Sequence, residues 1–183
     1  MPSWSQIARR VRVPLGFAFA AAYIWLSRPT IASIVVGSCI AFVGLAIRTL
    51  ASGHVEKNEV LAITGPYAYT RNPLYLGSLV LVAGFLIAAR SWWLPLIAAG
   101  MLLAIYLPVI RSEEAFLRSR FPEFDDYASQ VPRLIPRSRP YRHQNRPNSF
   151  SWHLYWKHRE YNAALGAGLM IAALVAKSIW FRR

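Results

Sequence analysis

The chain has 183 residues, with 55% hydrophobic and 14% aromatic residues, seven Trp and a net charge of +13; that length suits one domain. Its single cysteine, Cys39, excludes an intramolecular disulfide and any cysteine-based metal site. The apolar residues fall in blocks with the charges between them, which excludes an ordinary soluble domain and points to helices that cross a hydrocarbon core, roughly 17–25 residues each.

In chain order, the first apolar block covers residues 13–26 and is the shortest. Its basic start (Arg9, Arg10, Arg12) and its small residues Ala18 and Ala20 also suit a signal peptide, but the apolar run continues through Ile24, Trp25 and Leu26, past where a cleavage site should end it. Ser27 to Thr30 makes a tight connection to a second block, 31–50, whose Gly37, Ser38 and Gly44 let helices approach closely. A third block, 74–89, is slightly short unless part of the sequence from Tyr69 enters the membrane. Arg90-Ser91, with Trp92 and Trp93 at the interface, leads into a charge-free fourth block, 92–110. That helix is expected to continue into water until Phe121-Pro122 breaks it. A short helix restarts at Pro122 with acids in its first turn, where the helix dipole favours them. Residues 131–137 are expected to be extended, because each proline biases its predecessor away from helix. Residues 138–161 form a basic, aromatic, interfacial stretch, and 162–181 a fifth apolar block with Lys177 able to snorkel.

Nucleic acid is the first partner suggested by so much arginine, but the charges alternate with the spans. Arg9, Arg10 and Arg12 precede the first block, His54, Lys57 and Arg71 separate the second from the third, and nine arginines from Arg111 to Arg159 separate the fourth from the fifth. The opposite loops hold only Arg28 and Arg90. This is the positive-inside pattern, and it predicts an N-terminus, a 51–73 loop and a 111–160 segment in the cytoplasm, with no nucleic acid and no obligate protein partner. Lys177, Arg182 and Arg183 would be external if the last helix spans, so an interfacial final helix stays open.

The concentrated polarity lies in two stretches, 54–75 and 111–137. Gly65 permits a tight turn, and Pro66 and Pro73 fix the backbone on either side of Tyr67, Tyr69 and Arg71. Pro73 suits the first turn of the third helix, whose N-terminus is then a place for a carboxylate or phosphate, with Arg71 beside it. A membrane-entry turn with interfacial tyrosines fits the same residues. Glu113 and Glu114 point about 100° apart on a helix, so one is expected to face inward and the other water; a solvated acidic patch is the alternative. His54, Glu56 and Glu59 match no strong metal spacing, and no dinucleotide glycine motif, Walker sequence or serine elbow is present.

From position 65 the chain reads GPYAYTRNPLYLG, and after a two-helix hairpin EEAFLRSRFPEFDDYASQVPR from position 113. These blocks resemble the isoprenylcysteine carboxyl methyltransferase family and the related phospholipid N-methyltransferases, over about residues 51–137. The resemblance implies an integral membrane enzyme that uses S-adenosylmethionine. By position it assigns Lys57, Glu59, Val60, Leu61, Ala62, Tyr67, Asn72, Pro73, Leu74, Tyr75 and Glu113 to the cofactor, and physical chemistry adds Arg71 for the cofactor carboxylate. Asn72 stands where the prototypes carry histidine. Where they carry an arginine near the substrate carboxylate this chain has Val109, and Arg111 is the nearest replacement. Glu114 and Tyr75 are candidates to assist proton removal from an amine acceptor.

The reading is thus an all-α integral membrane protein of about five transmembrane helices with a cofactor pocket on the cytoplasmic face. It divides into an N-terminal hairpin (1–50), a methyltransferase-like core (51–137), a basic interfacial segment (138–161) and a final helix (162–183). The expected acceptor is lipid-like or lipidated, and membrane lipids are the partners. Two alternatives stay open. One is an NADPH-dependent membrane sterol reductase, for which Arg133, Arg137 and Arg139 would meet the extra phosphate. The other is a non-catalytic membrane protein that keeps the fold.

Overall fold

The computed structural model describes residues 4–56, 59–141 and 149–180. Every regular element among them is helical: α1 (Trp4–Leu26), α2 (Ile31–Ser52), a single 3₁₀ turn (Gly65–Ala68), α3 (Pro73–Ala89), α4 (Trp93–Arg120), α5 (Phe124–Gln130), α6 (Trp152–Lys157) and α7 (Tyr161–Trp180). Helices α2, α4 and α7 are long and apolar enough to cross a membrane. The apolar part of α1 and the 17 residues of α3 are shorter; at 1.5 Å per residue α3 reaches about 26 Å, a little under a ~30 Å hydrocarbon core. The architecture is that of an all-α integral membrane protein, with three full-length spans and two shorter apolar helices.

α2 and α3 form the tightest pair. A methyl group added at Gly37 would lie 2.4 Å from the Gly84 carbonyl oxygen, and one at Gly84 2.5 Å from that of Gly37. One turn-pair along, Gly44 and Gly77 meet in the same way, at 2.7 and 2.8 Å. With Ala41 buried between them, the two backbones touch along a seam of small residues, the arrangement that lets membrane helices associate by van der Waals contact where no hydrophobic drive exists. Gly84→Leu is expected to destabilise the protein by about 1–3 kcal/mol or more through overpacking, whereas Gly100→Leu, where an added Cβ meets nothing within 4 Å, should be neutral. Thermal unfolding in detergent checks this, and equal melting of the two variants would contradict a closed seam.

α2 starts in a full capping box. The Thr30 hydroxyl accepts from the Ser33 N–H, and the Ser33 hydroxyl accepts from the Thr30 N–H. The break in α4 has a local cause. Pro108 has no N–H to give to the Ala104 carbonyl four residues earlier. The helix widens into a π turn over Leu102–Tyr106, and the indole N–H of Trp4 donates to that Ala104 oxygen at 2.9 Å. The sequence thereby ties the start of α1 to α4. The other end of α1 is tied to α3, where the Tyr23 hydroxyl donates to the Phe85 carbonyl at 2.7 Å.

As expected from the sequence, α4 continues past the apolar block to Arg120, Phe121 ends it in extended backbone, and α5 restarts with Asp125 and Asp126 in its first turn. α7 joins the bundle against α2, and Lys177 near its end donates to the Ile24 and Trp25 carbonyls of α1.

Candidate functional site

At the end of the bundle where α2 and α4 finish and α3 begins, the 131–141 strand of chain lies along the turn before α3. Arg71 N–H donates to the Pro132 carbonyl (2.9 Å), Arg137 N–H to Tyr69 (3.0 Å) and Tyr141 N–H to Ala68 (2.8 Å). The Thr70 hydroxyl donates to the Arg133 carbonyl at 3.1 Å, and the Tyr127 hydroxyl to the Tyr67 carbonyl at 2.7 Å. Beneath this layer Leu61, Ile63, Phe124, Tyr127 and Val131 form a small apolar core. It holds the loop after α2, the start of α3, the end of α4 and α5 in one unit.

This unit encloses a cavity of about 430 Å³, a size usual for small-molecule sites. Of the residues assigned to a cofactor, Val60, Leu61, Ala62, Tyr67, Arg71, Asn72, Leu74, Tyr75 and Glu113 line it. Pro73 is buried at the first position of α3 and is not on the lining. Glu59 is exposed, 3.6 Å from the Lys157 ammonium, and is also off the lining. Lys57 lies outside the described residues. Val55, Glu56, Phe116, Leu117, Phe124 and Tyr127 complete the wall. The sequence assigns none of these six to the cofactor; it offers Glu56 only as a candidate metal ligand, and Phe124 and Tyr127 stand inside the recognised FPEFDDY block.

Both residues of the acidic pair line the cavity, Glu114 buried and Glu113 partly exposed. Glu114 is only 7% exposed. One of its oxygens accepts from Arg133 Nε and Nη2 at 2.9 and 2.7 Å, and the other from Asn72 Nδ2 at 3.1 Å, with Arg71 Nε 3.4 Å away. The hydrogen bond that Arg133 donates to Glu114 is the main cause that raises the Arg133 pKa above its ordinary value. Glu114 is therefore a clamp between α4, the α3 turn and the 131–141 strand, with its oxygens engaged, and not a vacant base. Glu113 is half-buried and accepts from the Tyr75 hydroxyl at 3.0 Å. Arg111, one residue from Ser112 on the same helix, is exposed and does not reach the cavity. The inward face of α4 here is Ile110, Glu114 and Leu117, at helical spacing, and Arg111 points off it.

Burial pushes the Tyr67 phenol well up, with Glu160 and Glu113 nearby adding to the effect, and burial does the same at Tyr127. Both are neutral hydroxyls across the physiological range. Arg71 sits over the Phe124 ring, 6.0 Å from its centroid, which fixes its guanidinium beside the cavity wall. His54 is not gathered with Glu56 and Glu59. Its ring packs against Phe150, and its Nδ1 meets the Leu50 carbonyl at 2.7 Å.

Asn72 stands at the junction. Its amide donates to Glu114 at 3.1 Å and to the Arg133 carbonyl at 3.2 Å, so it acts as a two-donor brace. Asn72→Ala is expected to cost roughly 1–3 kcal/mol by leaving part-buried acceptors unmatched. Thermal denaturation checks this, and a loss below about 0.5 kcal/mol would contradict the brace, since a surface change costs no more than that.

A second cavity, of about 600 Å³, lies between α1, α2, α3 and α4. Leu74, Tyr75 and Glu113 line both. The Tyr75–Glu113 pair is thus a wall shared by the two cavities. Arg48 of α2 also lines the second cavity. Its guanidinium is held by Glu160 in a two-point ion pair (2.9 and 2.7 Å) and by the Ser78 hydroxyl. Sequence reading treated Arg48 only as an interruption of an apolar run; an ionisable group inside a membrane helix is itself a signal of a buried partner.

A family model described as phospholipid methyltransferase matches residues 30–123, just over half of the chain. Among curated proteins, the nickel-cobalt-cadmium resistance protein NccN of Alcaligenes xylosoxydans xylosoxydans is 38% identical over 114 residues, covering 62% of this chain and 53% of that protein. The cobalt-zinc-cadmium resistance protein CzcN of Cupriavidus metallidurans is 35% identical over 119 residues, covering 64% and 54%. The chain spans about half the length of these relatives. No solved structure matches. The matched residues hold α2, the turn and α3 that carry Tyr67 to Tyr75, and all of α4 with Glu113 and Glu114, and on that match the chain belongs to the phospholipid methyltransferase family.

Proposed function

We propose that the protein is an S-adenosylmethionine-dependent methyltransferase that acts on a lipid-like or lipidated acceptor at the membrane surface. The observation that carries the reading is the shared wall. Residues assigned to the cofactor line one cavity, and three of them, Leu74, Tyr75 and Glu113, also line a second cavity that opens between membrane helices.

S-Adenosylmethionine, when bound, supplies an activated methyl group, so transfer is an in-line displacement in which positioning provides most of the rate. The chain's own residues fit that task. Glu113 offers a carboxylate with no cation on it among the described residues, suited to an amine or ribose hydroxyls. Tyr67, kept neutral by burial, and the apolar run Val60, Leu61 and Ala62 suit a purine ring. Tyr75 fixes the Glu113 carboxylate and places a hydroxyl between the two chambers. For an amine acceptor the Tyr75–Glu113 pair, not the engaged Glu114, is the group placed to take the proton. Arg111 has no part in this scheme.

An NADPH site is less well supported. Arg133 is committed to Glu114, and Arg137 donates to the Gln130 carbonyl at 2.9 Å, so two of the three arginines that would meet a 2′-phosphate are otherwise engaged. The names of the two relatives extend the proposal: acceptor methylation would serve a cell exposed to divalent metals. Growth of a deletion strain on cobalt, zinc and cadmium salts tests that extension. For the cofactor, calorimetric titration of the purified protein with S-adenosylhomocysteine and with NADPH is expected to show binding of the first only. Binding of NADPH alone, or of neither, would overturn the reading. The division into a 51–137 catalytic core with flanking membrane elements, and the placement of the site on the cytoplasmic side, belong to the same proposal.

A further inference from the structure

α1 is tied to the bundle near both of its ends, and cavities lie along it between them. Near its start Ala8 packs on Ile105 and Val109, and Trp4 bonds Ala104. Near its end Tyr23 bonds the Phe85 carbonyl and packs its ring edge-on against Phe85. Between these points Val13, Gly16, Phe17 and Ala20, one face of the helix by spacing, look into the 600 Å³ cavity. Two smaller cavities adjoin it and share wall residues with it. One branch, of about 120 Å³, runs between α1, α3 and α4 and shares Gly16, Tyr75, Ser78 and Tyr106 with it. The other, of about 270 Å³, runs between α1, α3 and α7 and shares Ala20. Phe19 and Val82 line both of them.

Resting on the methyltransferase reading, we infer that this forked chamber holds the hydrocarbon part of the acceptor, and that Gly16 and Ala20 set what fits. The occupant is an amphipathic molecule with a polar reacting group at one end and hydrocarbon beyond it. The polar atoms of the chamber gather at one end, where Tyr75, Ser78, Arg48 and Glu113 stand, while both branches are walled almost wholly by aliphatic and aromatic side chains. Arg48 is already paired with Glu160, so the polar end is no anion trap, and the grip on the occupant comes from the apolar branches. Two of the chamber's walls, α1 and α7, lie outside the matched residues 30–123. Acceptor choice is therefore placed on elements the family model does not describe.

Gly16 gives a clean test, because a Cβ added there meets nothing within 4 Å and a helix interior gains from losing glycine. Gly16→Phe and Ala20→Leu fill the chamber from α1, one turn apart, so a fold failure in one leaves the other. Gly168→Phe, on α7 in equally open space but off the chamber lining, is the control. Each protein is purified in detergent from native membranes. Bound lipid is extracted and identified by mass spectrometry, and S-adenosylhomocysteine affinity is measured by calorimetry. The expected result is stoichiometric lipid in the wild type and Gly168→Phe, at least a tenfold loss in Gly16→Phe and Ala20→Leu, and cofactor affinity within twofold throughout. Wild-type lipid content in the two chamber variants, or an equal loss in the control, overturns the chamber. The expected lipid pattern without cofactor binding in any protein overturns the enzymatic reading and retains the chamber as a lipid site.

Discussion

Glu113→Ala is expected to fold and to lose at least tenfold in S-adenosylmethionine affinity, whereas Glu114→Ala is expected to fail at folding. The two residues are neighbours of identical chemistry, and the difference comes from their partners. Glu114 neutralises Arg133 and faces Arg71, whose side chain is only 13% exposed, and it braces Asn72. Removing it leaves buried positive charge without compensation, a loss of about 3–5 kcal/mol, and it unpins the 131–141 strand from the turn before α3. Glu113 holds the Tyr75 hydroxyl and faces the cavity, so its loss exposes no unpaired charge. What it loses is a charged hydrogen bond to ligand, worth roughly 1.5–3 kcal/mol, which is about ten- to a hundredfold in affinity. Circular dichroism melts and calorimetry on both variants read the two effects separately. A Glu114→Ala protein with a wild-type melt, or a Glu113→Ala protein with wild-type affinity, would reverse the assignment.

The ion pair between Arg48 and Glu160 carries the second large effect. It joins α2 to the residue just before α7, across 112 positions of sequence, and both side chains are mostly buried, at 21% and 13% exposure. Truncating either one strands a charge beside apolar helices. Glu160→Ala and Arg48→Ala should each cost about 3–5 kcal/mol. The double variant Arg48→Met with Glu160→Leu should recover most of that loss, because an apolar pair removes both desolvated charges. Additive losses in the double variant would mean that the two residues act independently. A stabilised fold with weakened lipid retention in the double variant would separate the pair's effect on the fold from its place at the acceptor chamber.

Local signals carried much of the architecture. The helix stop at Phe121-Pro122, the acid-led restart of α5 and the glycines of α2 are each decided within a few residues, and they stand as read. Cavity residues such as Tyr67, Leu74 and Tyr75 were legible because they cluster around one turn. What escaped depends on distance or on rotation. Arg111 looked as close to the site as Glu113, but a helix turns residues that are adjacent in sequence to different sides, and only the packing of Ile110 and Leu117 decides which side is inward. Glu114 read as a free acid because its cations, Arg71 and Arg133, arrive from two other segments. Arg48 and Glu160 could be paired only once α7 was placed against α2. Glu59 was taken with its neighbours Val60, Leu61 and Ala62, yet its side chain turns out toward Lys157. The widening of α4 at Leu102–Tyr106 had a visible cause in Pro108, but its consequence, the capture of Trp4, did not.

The most direct test of the account is methyl transfer itself. Purified protein is incubated with S-adenosylmethionine labelled in the methyl group and with lipid extracted from the native membrane, and the organic phase is counted. The account predicts label in an organic-soluble product with wild-type protein and at least a tenfold reduction with Glu113→Ala and with Gly16→Phe. Label that stays wholly in the aqueous phase with wild-type protein, despite measured cofactor binding, would contradict a lipid-like acceptor.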